Sequence, residues 1–217
     1  MQLLLTDRLT CPRCGPTFGL ILLANRLEDR RVHDGVLGCP NCRDSFPITT
    51  GFADLRAPPR GEISDGLAGG PPDGVALGPS SGDEEEAGRL SALLGIAQGP
   101  GTVALLGEAA RHAGAVVRAV EDLQVVAIDS DLVGWTDTPG VSRAVAGPGL
   151  PFFSCMLRGV VVDGQLGRGW VEEAIRVVAP MSRVIVIRAP DWAPAVLEEG
   201  GLSIMVSEAE TVVAARG

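Results

Sequence analysis

Two short knuckles near the front of the chain, Cys11-Pro12-Arg13-Cys14 and Cys39-Pro40-Asn41-Cys42, constrain it more than any other feature. A Cys-x-x-Cys turn aims two thiolates at one point, and two such turns supply the four soft ligands of a tetrahedral Zn²⁺ site. Proline in each knuckle fixes a backbone φ, and Gly15 lets the first turn continue where a side chain would crowd it. A ribbon this small has no core of its own, so metal is expected as a condition of its folding. Four thiolates with no open position make the site structural rather than catalytic, and His33, although close by in sequence, is not needed. Cys11, Cys14, Cys39 and Cys42 are therefore the expected ligands of a structural Zn²⁺.

Other uses of the cysteines explain less. A thioredoxin-like redox pair needs one motif and leaves the second unexplained. Two disulfides would suit a secreted chain, but Met1 to Asp7 lacks the basic start and long apolar run of a signal peptide. The remaining cysteine, Cys155, follows an apolar stretch and is expected as a small buried hydrophobe in a reducing cytoplasm. The 217 residues suffice for one medium domain plus a small appendage, and no apolar run is long enough to span a bilayer. A net charge of −9 and the absence of tyrosine argue against strong direct binding to nucleic acid. A protein partner or a homo-oligomer is the expected company.

Composition divides the chain into residues 1–55, which carry the knuckles, a Gly/Pro-rich linker over 56–82, and a segment over 83–217. That last segment alternates short β-type runs with helical patterns, the mark of a mostly parallel α/β sheet covered by helices. A helix is expected to open it, with Ser81 and Glu84 as a capping box and Leu90, Leu93, Leu94 and Ala97 on its apolar face. Strands are expected at Thr102–Leu106, Gln124–Ile128, Ser142–Ala146, Gly159–Val162, Arg183–Ile187, Leu202–Ser207 and Thr211–Ala215. Helices are expected from Glu108 to Asp122 and from Gly169 to Val178. In such sheets ligands sit beyond the carboxyl ends of the strands, which points to the turn after the first strand and to Asp129 at the end of the second. Gly107 and Asp129 lie 22 positions apart, close to the spacing of a glycine turn and a ribose-binding acid.

At these residues the segment resembles the class I S-adenosylmethionine-dependent methyltransferases. The resemblance implies a Rossmann-like methyltransferase fold, a mostly parallel sheet with a closing antiparallel hairpin around Glu208-Ala209-Glu210. It also implies a cofactor loop at Gly107 and Ala109 and a ribose-binding acid at Asp129. Gly149-Leu150-Pro151-Phe152 through Val162 is similar to the family's approach to strand four. Arg176-Val177-Val178-Ala179-Pro180 through Val186 is similar to its lead into strand five. The front of the chain is similar to the small zinc-ribbon activator of methyltransferases that act on tRNA, rRNA and release factors. The likeness rests on the two cysteine pairs followed by Phe46-Pro47-Ile48 and Gly51. In that family the ribbon covers an apolar flank of the methyltransferase. The 24 residues between the pairs leave room for an inserted helix or hairpin.

Departures from the family pattern matter as much as the matches. Gly107-Glu108-Ala109-Ala110-Arg111 retains only the first glycine of the cofactor loop, and Arg111 is expected to fill the cofactor's space. Asp163-Gly164-Gln165 lacks the Asn-Pro-Pro-aromatic motif of enzymes that methylate planar nitrogens. Met181-Ser182 stands where a glycine pair is usual. Asp163, ending a central strand, is a candidate to line a substrate cleft. Two readings remain: a non-catalytic scaffold or partner subunit with a degenerate loop, and an active methyltransferase using S-adenosylmethionine.

Overall fold

The computed structural model describes residues 1–63 and 81–217. Most of the expected linker, 64–80, and the Ser81 side chain of the expected capping box lie outside the described residues.

The front of the chain is a short helix, α1 (Leu3–Thr6), and six strands: β1 (Thr10–Cys11), β2 (Gly15–Gly19), β3 (Ile21–Glu28), β4 (Arg31–Gly38), β5 (Ser45–Thr49) and β6 (Phe52–Leu55). The hairpin expected between the cysteine pairs is β3–β4. Gly35 is required there, because a Cβ would stand 2.7 Å from the Leu23 carbonyl. After β6 the chain folds back on the ribbon. Arg56 pairs with Asp54, and the Arg60 guanidinium lies over the Phe46 ring, 4.9 Å from its centroid.

The remainder follows in the order α2 (Ser81–Leu94), β7 (Gly101–Leu106), α3 (Ala113–Ala119), β8 (Leu123–Ile128), β9 (Val141–Ala146), β10 (Leu157–Asp163), α4 (Arg168–Val177), β11 (Val178–Ile187), α5 (Ala193–Glu199), β12 (Leu202–Glu208) and β13 (Thr211–Arg216). All seven expected strands are present within a few residues. The expected continuous helix from Glu108 is instead a 3₁₀ segment, Gly107–His112, followed by the short α3. Gly107, at φ +63°, turns the chain sharply out of β7, and the tighter winding takes up that turn. The short α5 has no counterpart among the expected helices. At seven residues, with Pro194 in its first turn, its period is too brief to register.

Eleven strands form one sheet in the order β12-β13-β11-β10-β7-β8-β9-β6-β5-β4-β3. Strands β9, β8, β7, β10 and β11 are parallel, and β13 runs antiparallel between β11 and β12. Counted from β7, the order is third, second, first, fourth, fifth, seventh, sixth. It differs from the dinucleotide-binding order only where the last strand slips between fifth and sixth. This is the mostly parallel, methyltransferase-like Rossmann sheet with a closing hairpin. The ribbon continues it without a break, since β6 pairs parallel with β9 from Phe52↔Arg143 to Leu55↔Ala146.

Each face of the sheet is covered. On one, Leu90 and Leu94 of α2 and Val116 of α3 pack against Val103, Leu105, Val125 and Val161. On the other, α4 and α5 cover part of the sheet and the ribbon covers more. Leu5, Leu9, Val32, Leu37, Phe46 and Ile48 belong to the same apolar cluster as Val126, Ala144, Phe152 and Val160. The β9-to-β10 connection contains no helix. Where a crossover helix would lie, the ribbon lies instead, docked by the Leu9↔Phe152 bridge and a 2.9 Å bond from Thr10 N to the Pro151 carbonyl. Arg176 pins the same connection, donating to the carbonyls of Leu150 and Phe152 at 2.7 and 2.8 Å.

Candidate functional sites

The two knuckles converge. The sulfurs of Cys11, Cys14, Cys39 and Cys42 all lie within 4.8 Å of one another, with Cys11–Cys42 at 3.6 Å and Cys14–Cys39 at 3.8 Å. Neither distance is a disulfide, and a tetrahedral Zn²⁺ with Zn–S of about 2.3 Å sets its sulfurs about 3.8 Å apart. The donor set and spacing fit zinc, with all four cysteines as the residues that would hold it. Around the sulfurs, Cys14 N lies 3.4 Å from Cys11 Sγ and Asn41 Nδ2 lies 3.3 Å from Cys14 Sγ. Without a cation the thiols differ sharply. At Cys39 burial opposes ionisation, but the N–H groups of Cys42 and Asn41 outweigh it and hold the thiol down to about 7. At Cys42 the Asp44 N–H favours the thiolate, but desolvation and the neighbouring sulfurs push it up to about 12. Four thiolates share this space comfortably only around a positive ion. His33 stands apart from the cluster.

The second site lies at the carboxyl ends of the sheet. The pairing Leu106↔Ile128 sets Gly107 and Asp129 side by side, as the strand reading required. Their side-chain environments differ from a bare cofactor cradle. Asp129 caps the following 3₁₀ turn, accepting from Asp131 N at 3.0 Å. Ala109 is fully buried and packs into the apolar cluster beneath α2 and α3. Arg111 does not fill the expected space. It points outward, more than half exposed, and pairs with Glu108 one turn away at 3.0 Å. His112 closes the 3₁₀ segment and stands at the N-cap of α3.

Beside Gly107, at the end of the neighbouring strand β10, stands Asp163. Strand order reverses between β7 and β10, so the crevice at that switch point is where a ligand is expected, and Gly107 and Asp163 form its two lips. A Cβ on Gly107 would meet Asp163 Cβ at 3.0 Å, Asp163 Oδ2 at 3.1 Å and Leu166 Cδ1 at 3.1 Å. Asp163 is 3% exposed and fully engaged. It accepts from Gln165 N at 3.0 Å and Glu108 N at 3.4 Å, and Arg188, at the end of β11, grips both of its oxygens, one at 3.0 Å. The strand reading placed Asp163 at this crevice, but nothing in the sequence pointed to Arg188 as its partner. Their 25-residue separation becomes contact only through the parallel pairing Asp163↔Ile187. Cys155, expected to be buried, is exposed at φ +57° in the helix-free connection before β10, because it sits in the tight turn at Ser154 and Cys155 that follows Phe152.

No protein-family model matches the chain, and no curated protein matches it. Solved structures with which it shares a similar arrangement include several described as methyltransferases and one described as a [4+2]-cyclase, SpnF. A chain from the complex of the Haloferax volcanii Trm112 methyltransferase activator with a protein described as a methyltransferase aligns at 16% identity, covering 58% of this chain and 75% of that one, TM-score 0.43. Precorrin-6y C5,15-methyltransferase of Geobacter metallireducens aligns at 13% identity over 61% and 88% of the two chains, TM-score 0.47. A TehB-like methyltransferase of Corynebacterium glutamicum aligns at 15% identity over 65% and 91%, TM-score 0.46. The fold itself rests on the strand order and directions described above.

Proposed function

We propose that this chain is a methyltransferase-like protein that has given up S-adenosylmethionine chemistry and serves as a zinc-stabilised scaffold or partner subunit. The observation that carries this reading is the commitment of Asp163 at the switch point, buried and held by Arg188 and two backbone N–H groups. The turn at Gly107, where a bound cofactor is expected to approach bare backbone, has Asp163 and Leu166 beside it. A ligand that used the Asp163 carboxylate would have to separate it from Arg188, at a cost of about 2–3 kcal/mol given that the Arg188 side chain is 44% exposed. A ligand would have to supply that energy before gaining affinity. Zinc at the four cysteines is part of the proposal. It would fix the knuckles, and therefore the ribbon that covers the β9–β10 side of the sheet. A reducing cytoplasm suits ligands that must remain thiolates.

The alternative, an active methyltransferase, draws on Asp129, which ends the second strand beside Gly107, where a ribose-binding acid belongs. Calorimetry separates the two. With either S-adenosylmethionine or S-adenosylhomocysteine, no heat at millimolar ligand is expected. Binding tighter than about 100 μM, abolished by Asp129→Ala, would establish the enzyme instead.

A further inference from the structure

At the seam between ribbon and sheet lies a group of charges that plays no part in either site. Arg31 opens β4 and is 8% exposed; Arg143 lies within β9 and is 4% exposed. Asp137, in the loop before β9, takes Arg31 through both oxygens, one at 2.9 Å, and Arg31 also donates to the Val141 carbonyl at 2.9 Å. Arg143 directs its terminal nitrogens at neutral acceptors, the carbonyls of Leu132, Trp135 and Thr50. The Met1 amine sits beside them, donating to the Val32 and Gly51 carbonyls at 3.0 and 3.1 Å. Burial, then the field of Arg31, hold that amine down to about 5, with Arg143 adding to the effect. Burial also lowers Arg143, with Asp137 opposing and Arg31 reinforcing the shift.

Among the described residues, two guanidinium groups face one carboxylate, so one positive charge is left uncancelled in a largely buried seam. Two of the N–H groups, Arg31 Nη1 and Arg143 Nε, are buried with no hydrogen-bond partner among the described residues. Buried polar groups are almost always partnered, and an unpaired buried charge is the costlier omission. Water would satisfy the N–H groups and leave the charge. A small anion would satisfy both. The seam is narrow as well: a Cβ on Gly51 would already stand 3.2 Å from the Met1 nitrogen and 3.7 Å from Arg143 Nη2. A monatomic anion asks for less room in such a space than a tetrahedral oxyanion. The Asp137 side chain is 30% exposed and gives a path to solvent.

We propose that the seam binds one small monovalent anion of chloride's size, held between Arg31 and Arg143, which fastens the ribbon to the edge of the sheet. The test uses the full chain at constant ionic strength, with chloride replacing gluconate, which is too bulky to enter. Chloride and bromide should raise the unfolding temperature saturably, by about 3–5 °C at ten times the dissociation constant. Phosphate and sulfate should give only the gradual, non-saturating rise of salts excluded from the protein surface. The ³⁵Cl resonance should broaden with the protein and sharpen again on Arg143→Met. Should that variant fail to fold, Asp137→Asn serves instead. It removes the competing negative charge, so chloride should bind at least threefold more tightly even though the variant is less stable. Stability that follows ionic strength alone, or an Asp137→Asn variant with unchanged chloride dependence, overturns the site. Equal saturable stabilisation by phosphate overturns the size assignment.

Discussion

Asp163 shows how a single side chain decides what the crevice does. In a sheet of this order a carboxylate ending the fourth strand faces the ligand side, yet here it spends its oxygens on two backbone N–H groups and Arg188. Arg188→Ala should therefore destabilise the chain by about 2–3 kcal/mol in urea titrations. That lies below the 3–5 kcal/mol of a wholly buried pair, because the Arg188 side chain is 44% exposed. Asp137 gives a prediction in pH. Burial alone would raise its pKa, but hydrogen bonds and charge from Arg31 outweigh burial and hold it below the usual carboxylate range. Its stabilisation is therefore complete above about pH 4, where the unfolded carboxyl is ionised, and is lost as pH falls through the lower folded value. Thermal melts from pH 5 to pH 2 should show that loss, and Asp137→Asn should flatten it. At this scale the sequence was uneven. Thiolate spacing is a local property, so the cysteine cluster was legible. Which way Arg111 points, and which cation meets Asp163, depend on strands brought together from distant parts of the chain.

Among the elements, the strands were legible and the connections less so. Runs such as Val103-Ala104-Leu105-Leu106 and Val160-Val161-Val162 are fully buried, and a continuous apolar stretch of that length marks a parallel strand covered on both faces. Connections follow what they pack against. The β9–β10 link reads as an approach to a strand, and it reaches β10 without a helix because the ribbon already occupies that face. Phe152, fully buried and bridged to Leu9, is the hinge of that replacement. Phe152→Ala should cost about 3–5 kcal/mol by denaturant titration, as for other buried aromatic deletions. Hydrogen exchange should quicken in the ribbon as well as in the connection itself. An effect confined to residues 147–157 would mean that the ribbon packs independently.

For the molecule as a whole, a sheet that runs unbroken from β3 to β12 and a cluster shared by ribbon and Rossmann strands predict one cooperative unit. Calorimetric and van't Hoff enthalpies should agree. Metal analysis should find one Zn per chain. Cys39→Ser or chelation should lower the unfolding temperature of the entire transition rather than detach an early ribbon phase, since metal binding energy is folding energy here. The composition boundary near residue 55 marks a change of pattern, but hydrogen bonds cross it, as β6 pairs with β5 on one side and β9 on the other. That double engagement has a consequence for traffic with other proteins. A tethered strand competes at an effective concentration of about a millimolar. A soluble rival present at micromolar levels would therefore lose roughly a thousandfold in any contest for the same edge. Bound to its own chain in this way, β6 is withdrawn from pairing with the sheet edge of any other protein.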